Sequence, residues 1–133
     1  MILRDLTIRT NAHTEMVDIT QEVQAIVAES GVREGLCFVY VPHTTAAVTI
    51  NENADPNVRT DFMKAMNKAI PWDDEYLHSE GNSAAHVKAS LIGFSETVII
   101  HDGRLQLGMW QGIYFMEYDG ARRRKVFVKI VDC

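Results

Sequence analysis

Three histidines, His43, His78 and His86, stand in stretches where an imidazole can do chemistry. His43 sits in Pro42-His43-Thr44-Thr45-Ala46, His78 opens the polar run His78-Ser79-Glu80-Gly81-Asn82, and His86 follows shortly after. Neutral imidazole nitrogens of this kind can hold zinc or a similar ion while a fourth position stays open for water or substrate. Spacing alone leaves a second reading open, in which one histidine is at the surface, one in the core and one on a helix, each with ordinary hydrogen bonds. No pair of histidines four apart gives the compact metalloprotease pattern. Glu52 and Glu80 are the natural carboxylate partners, either orienting a histidine from behind or serving as a general base.

Two further polar stretches, Asn51-Glu52-Asn53-Ala54-Asp55-Pro56 and Gly108-Met109-Trp110-Gln111-Gly112, fall at element boundaries, where a rigid sheet leaves short loops free to face a ligand. Trp110 can stack on a ring and Gln111 lies where glycines let the backbone come close. Arg104, in Gly103-Arg104-Leu105, is either a bidentate phosphate ligand or an exposed hairpin charge. The run Arg122-Arg123-Arg124-Lys125 is either a solvated strand end or the source of one or two arginines for an anion site. Asp55 has a structural use as a helix cap. Glu117 is an unusual charge if its strand face is buried.

The elements that must position these residues are legible in the periodicity. Ile2, Leu6 and Ile8 alternate with Asp5, Thr7 and Arg9, as in a half-buried strand, and a second strand runs through Met16 and Val17. Asp18 or Thr20 starts an amphipathic, surface-lying helix with Val23, Ile26 and Val27 on one stripe, ending at Gly31. The all-apolar run Leu36 to Val41 predicts a strand covered on both faces, and Ala46 to Ile50 another. Asp55-Pro56 starts a helix through Val58, Phe62, Met66 and Ala69 that Pro71 closes. A polar loop spans Trp72 to Asn82, a short helix runs from about Ser83 to Leu91, and strands follow at Thr97 to Ile100, Ile113 to Tyr118 and Lys125 to Val131. Strands in runs with two main helices and one short one predict an α+β fold, antiparallel sheet or sandwich packed against helices, in a single domain over residues 1–133.

Thirteen Lys and Arg against 18 Asp and Glu give a net charge of −5, which argues against general nucleic-acid binding. No segment approaches the ~20 apolar residues of a membrane span, and with only Cys37 and Cys133 no disulfide framework or cysteine zinc module is readable. A cytoplasmic location is the expectation. So short a chain makes a shallow pocket alone, and sites shared between copies become reasonable.

The ordered set PHTTA, NENADP with Asp61 after it, HSEGN with His86, GRLQLG, WQG and DGARRR resembles the YjbQ-like family, also called the secondary thiamine-phosphate synthase family, over about Met1 to Ile130. Ala121 and Met109 depart from it, standing where proline and threonine are common. The resemblance implies a trimeric α+β fold, and a pocket near the subunit boundary that carries a divalent metal, commonly zinc, with magnesium as the choice for a diphosphate substrate. It makes His43, His78 and His86 the metal ligands. Glu52, Glu80, Arg104 and Gln111 become the catalytic candidates, and Asn53, Asn82, Trp110, Arg122 and Arg124 the substrate-binding ones. It also implies a weak thiamine-phosphate synthase activity, joining a hydroxymethylpyrimidine diphosphate to a thiazole phosphate with loss of pyrophosphate. Two rival functions fit the same residues: a metal-assisted hydrolase of a small substrate, and a non-catalytic trimeric binding module.

Overall fold

The computed structural model describes residues 2–133. Eight strands and three helices follow in the order β1 (Ile2–Arg9), β2 (Glu15–Asp18), α1 (Thr20–Ser30), β3 (Gly35–Tyr40), β4 (Ala46–Glu52), α2 (Pro56–Ala69), α3 (Ser83–Ile92), β5 (Ser95–His101), β6 (Arg104–Leu105), β7 (Gln111–Glu117) and β8 (Arg123–Asp132). They form two sheets, one ordered β1-β8-β3-β5-β6 and one ordered β2-β7-β4, with every pairing antiparallel. No helix among the described residues is long and apolar enough to cross a membrane.

The layering follows from which faces are apolar. The inner face of the larger sheet, through Ile8, Val39, Val98, Val126 and Val128, packs with Val48, Ile113 and Phe115 of the smaller sheet and with Val23, Ile26 and Val27 of α1. The opposite face of the smaller sheet, through Ala47, Tyr114 and Met116, meets Ala85 and Ala89 of α3, and Phe62 and Met63 of α2 pack at its edge. The small sheet is therefore the middle layer, and β7 is buried from Gly112 to Glu117. Double coverage thus falls on β7 and not, as the unbroken apolar run Leu36 to Val41 suggested, on β3. In β3 only Cys37 and Val39 of the alternating set face the core, while Phe38 and Tyr40 are exposed. An apolar run shows that both faces avoid water, but not which neighbour covers the second one.

The helix signals hold with small shifts. The Asp18 carboxylate accepts the Thr20 N–H at 2.9 Å, although Ile19 stands at the cap position of α1, and Gly31 ends the helix at φ 71°. Asp55 caps α2 by accepting the Asn57 N–H at 2.9 Å, and Pro56 takes the first helical position. The stripe of α2 is only half-buried, and no residue of that helix is fully covered. The two-residue strand β6 is too short for any periodicity to reveal, and β7 begins two residues earlier than its apolar run.

Gly35, which starts β3, shows how closely the larger sheet is assembled. A Cβ there would lie 2.1 Å from the Val131 carbonyl oxygen of β8, so backbone has to move to admit it. Gly35→Ala is expected to destabilise the fold by about 1–3 kcal/mol, read as a lower denaturation midpoint at unchanged slope. An unchanged midpoint would show that the β3–β8 end has slack.

Candidate functional site

The β7–β8 corner meets the turn between β3 and β4 and the N-terminus of α3 around a cleft of about 760 Å³. Tyr40, Val41, Pro42, His43, Thr44 and Thr45 come from the end of β3 and the following turn, His78, Glu80, Asn82 and His86 from the polar loop and α3, and Phe94, Arg122 and Arg124 complete the wall. Pro42, His43 and Arg124 also border an adjoining hollow of about 660 Å³ with Asp5, Thr7, Arg123, Lys125 and Phe127.

The floor is a buried ion pair. Glu117, at the end of β7, is 0% exposed, and Arg124, near the start of β8, is 4% exposed. One carboxylate oxygen accepts the Arg124 Nε–H at 2.9 Å and the Thr10 hydroxyl at 2.8 Å, and the other accepts Arg124 Nη2 and the Asp119 N–H at 3.0 Å. Arg124 Nη2 also donates to the Thr45 hydroxyl at 2.9 Å. Burial pushes the Glu117 carboxyl up, but the hydrogen bonds from Arg124, the Asp119 amide and Thr10, with the Arg124 charge, outweigh it and hold it below the usual carboxylate range. Beside this pair lies a second, half-exposed one. The Asp119 carboxylate accepts Arg122 Nη2 at 2.9 Å and Asn82 Nδ2 at 2.9 Å, and the Arg122 Nε–H bonds the Asp119 carbonyl at 2.8 Å. Asn82 stands at the cap position of α3, yet its side chain turns to Asp119, and its buried Oδ1 has no partner among the described residues.

The three histidines share the cleft but not one point. His78 and His86 are in edge-to-face contact, with ring centroids 5.3 Å apart, and His78 Nε2 lies 3.9 Å from Glu80. His43 Nε2 instead accepts the Lys125 backbone N–H at 2.9 Å. An amide can only donate, so this ring is neutral with its proton on Nδ1. Burial first, and then the Arg124 charge, hold the His43 pKa below its ordinary 6.5. Protonation would also forfeit the amide bond. Among the described residues no group of three His, Cys, Asp or Glu is arranged to hold a metal ion. With His43 Nε2 taken by the Lys125 amide, the three histidines are not gathered around one ion in this arrangement.

Several expected site residues lie elsewhere in the chain. Glu52 pairs with Gln111 at the far end of the β4–β7 ladder, six residues from the Ala46–Glu117 rung beside the cleft, or about 20 Å at strand rise. There Gln111 accepts the Gly108 N–H at 2.8 Å, Asn53 packs on Gly112, the Glu52 carboxylate accepts the Asp55 N–H at 3.3 Å, and Trp110 is exposed. Arg104 of β6 lines a separate hollow with Gln24, Arg33 and His101, at the Gly35 end of the larger sheet. Thr10, Asp119 and Phe94 escaped the sequence reading. Only Asp119 had a signal, as the acid that begins the DGARRR stretch.

The family model described as UPF0047 protein YjbQ-like matches residues 4–133. The chain is 49% identical to the UPF0047 protein YugU of Bacillus subtilis, over 98% of this chain and 99% of that protein. It is 52% identical to a UPF0047 protein of Methanocaldococcus jannaschii, over 93% and 90%. A crystal structure of a yjbq/upf0047-family protein from Clostridium acetobutylicum superposes with TM-score 0.95 at 52% identity, covering 96% of this chain and 99% of that one. A YbjQ-like protein of unknown function from Sulfolobus solfataricus superposes with TM-score 0.95 at 30% identity, covering 99% and 97%.

Because the folded His43 binds its proton less readily than a free histidine, stability from this residue is present above pH 6.5 and is lost as pH falls below it. Nitrogen-15 spectra should show the Nδ1–H tautomer for His43, with a titration midpoint below 6.5. A midpoint at or above that value would mean that the Lys125 contact does not form.

Proposed function

The chain belongs to the YjbQ-like family, and on that premise we propose that the cleft binds a phosphorylated small molecule and carries a slow condensation of the thiamine-phosphate synthase type. The observation that supports this reading is the convergence of Arg122 and Arg124 with three histidines, Thr44 and Thr45 on one open space large enough for a small organic phosphate. In the condensation the bond from the pyrimidine methylene carbon to the diphosphate oxygen breaks, pyrophosphate leaves with the electron pair, and the thiazole nitrogen captures the carbon. Holding two anions near contact and stabilising the departing charge are positioning and electrostatic tasks. The arginines serve the diphosphate, and the His78–His86 pair can manage a proton at the leaving oxygen. No step is assigned to a zinc ion; magnesium would enter as the counter-ion of the diphosphate itself. The unpaired cysteines, one buried and one exposed, are in keeping with a cytoplasmic setting.

The reading includes a homotrimer. The outer face of the five-stranded sheet is bare: Leu3, Phe38, Tyr40 and Ile99 are exposed there among polar neighbours such as Asp5, Thr97 and Lys125, and Tyr40 also borders the cleft. Identical copies seated on this face would cover the second side of β3 and supply walls that one chain lacks. Such packing is also the route by which Arg104, Glu52 or Gln111 of a neighbouring copy can approach a cleft that their own chain keeps them from.

Light scattering is expected to report about three chains per particle, and Phe38→Asp to reduce this to one. A wild-type monomer with intact activity would overturn both the trimer and the shared site. Purified protein should form thiamine phosphate from the two precursors, and His78→Ala, folded and trimeric, should slow it by about tenfold or more. Equal rates would place the reaction outside this cleft and move the binding-module reading ahead.

A further inference from the structure

The loop between α2 and α3 carries Asp73, Asp74, Glu75 and Glu80, with no lysine or arginine between Trp72 and Asn82. Among the described residues Asp73, Asp74 and Glu75 enter no ion pair. Beside them Leu77 is 100% exposed. The loop is nevertheless held at both ends. The Trp72 ring meets His13 edge to face at 4.4 Å, the Tyr76 hydroxyl donates to the Pro71 carbonyl at 2.6 Å, and the Gly81 N–H closes a turn on the His78 carbonyl at 3.1 Å. An apolar side chain is thus presented to water on a tethered projection ringed by unpaired acids, an arrangement that lowers the ordering cost of docking and gives its own chain nothing.

A hollow of opposite character lies on the outer side of the β1–β8 ladder. Pro42 and Phe127 line its 660 Å³ together with Arg123 and Lys125. The register sets Arg9 opposite Arg123, Thr7 opposite Lys125 and Asp5 opposite Phe127, and the one acid of that row is already engaged by Lys125 at 3.6 Å. Arg9 and Arg123 have no ion-pair partner among the described residues. We propose that the 73–77 loop of one copy of this chain seats in the β1–β8 hollow of the next, Leu77 against Pro42 and Phe127 and the loop acids against Arg123 and Lys125. The proposal rests on reading the protein as a homotrimer and names the surface that meets the outer sheet. Loop and hollow are different parts of the chain, so the contact runs head to tail, which is what a closed ring of three requires. Opposite charges, unpaired on each side, select this register over a contact of the apolar residues alone. The consequence reaches the cleft, because Pro42, His43 and Arg124 border both spaces. A neighbouring copy thereby closes the side of the cleft behind His43, and the site is incomplete in a single chain.

The test is sedentation of the full chain over a dilution series, read as the concentration at which half the trimer has dissociated. Leu77→Asp, at a position its own fold does not use, should raise that concentration by about tenfold or more. Reversing the loop charges (Asp73→Lys with Glu75→Lys) or the rim charges (Arg123→Glu with Lys125→Glu) should do the same, and the four substitutions in one chain should restore assembly toward wild type. Lys64→Glu, on the exposed side of α2, should change nothing. Wild type itself should dissociate more readily when salt is raised from about 0.05 to 0.5 M, as screened charges require and apolar contacts do not. A trimer that ignores Leu77→Asp, that is not restored by the double reversal, or that is indifferent to salt overturns the docking of the loop and leaves the trimer standing. A wild-type monomer overturns both.

Discussion

Glu117 and Arg124 are the interaction on which the site is built. The carboxylate sits in the strand that is covered on both faces, where an unpaired charge would cost several kcal/mol. Its neutralisation draws in four separate pieces of chain: Thr10 after β1, Thr45 before β4, the end of β7 and the start of β8. These pieces belong to both sheets. One buried charge therefore fixes the angle at which the larger sheet meets the smaller one, and the cleft opens at that junction. Removing one partner alone would strand the other, so the pair behaves as a single structural unit.

His43 illustrates how the same corner sets chemical character. Its ring is tied to the backbone of Lys125, the residue after Arg124, and burial first, then the guanidinium beside it, disfavour a positive charge on it. The imidazole is thereby kept neutral where a free histidine would be partly charged. His78 and His86, on the loop and helix opposite, lie outside that tie. Three residues that look equivalent in sequence thus differ in what they can donate or accept.

Much of the fold was legible because its signals are local. Alternation marked β1, Asp55-Pro56 marked the start of α2, and glycines marked the ends of α1 and α3. What periodicity cannot carry is partnership. The run at Leu36 to Val41 and the run at Ile113 to Tyr118 look alike, and only the order of layers tells that the second is the middle of the molecule. The same limit governs the site. The polar stretches at residues 42–46, 78–82 and 122–124 do meet, whereas Glu52, Gln111 and Arg104 look equally functional and lie at the far ends of their strands. Strand direction decided between them, and a list of motifs has no strand direction. Glu117 was visible as an anomaly, but its meaning waited on Thr10 and Arg124, which no spacing connects to it.

The second helix carries a different kind of consequence. No residue of α2 is fully buried; Phe62 and Met63 rest on the edge of the smaller cluster, and the hydrogen bond from Lys88 to Asn67 ties the helix to α3. Lifting α2 away would expose little apolar surface and break few long-range bonds, while both sheets and the Glu117–Arg124 pair stayed closed. Local opening follows such boundaries of low burial. The amide hydrogens of residues 56–69 should then exchange with solvent through an excursion that leaves the rest of the molecule folded, long before those of β7. On that view the protein has a rigid interior that holds the corner arginines and a separable outer helix, hinged near Pro71, whose departures loosen the covering of α3 without dismantling the floor beneath it.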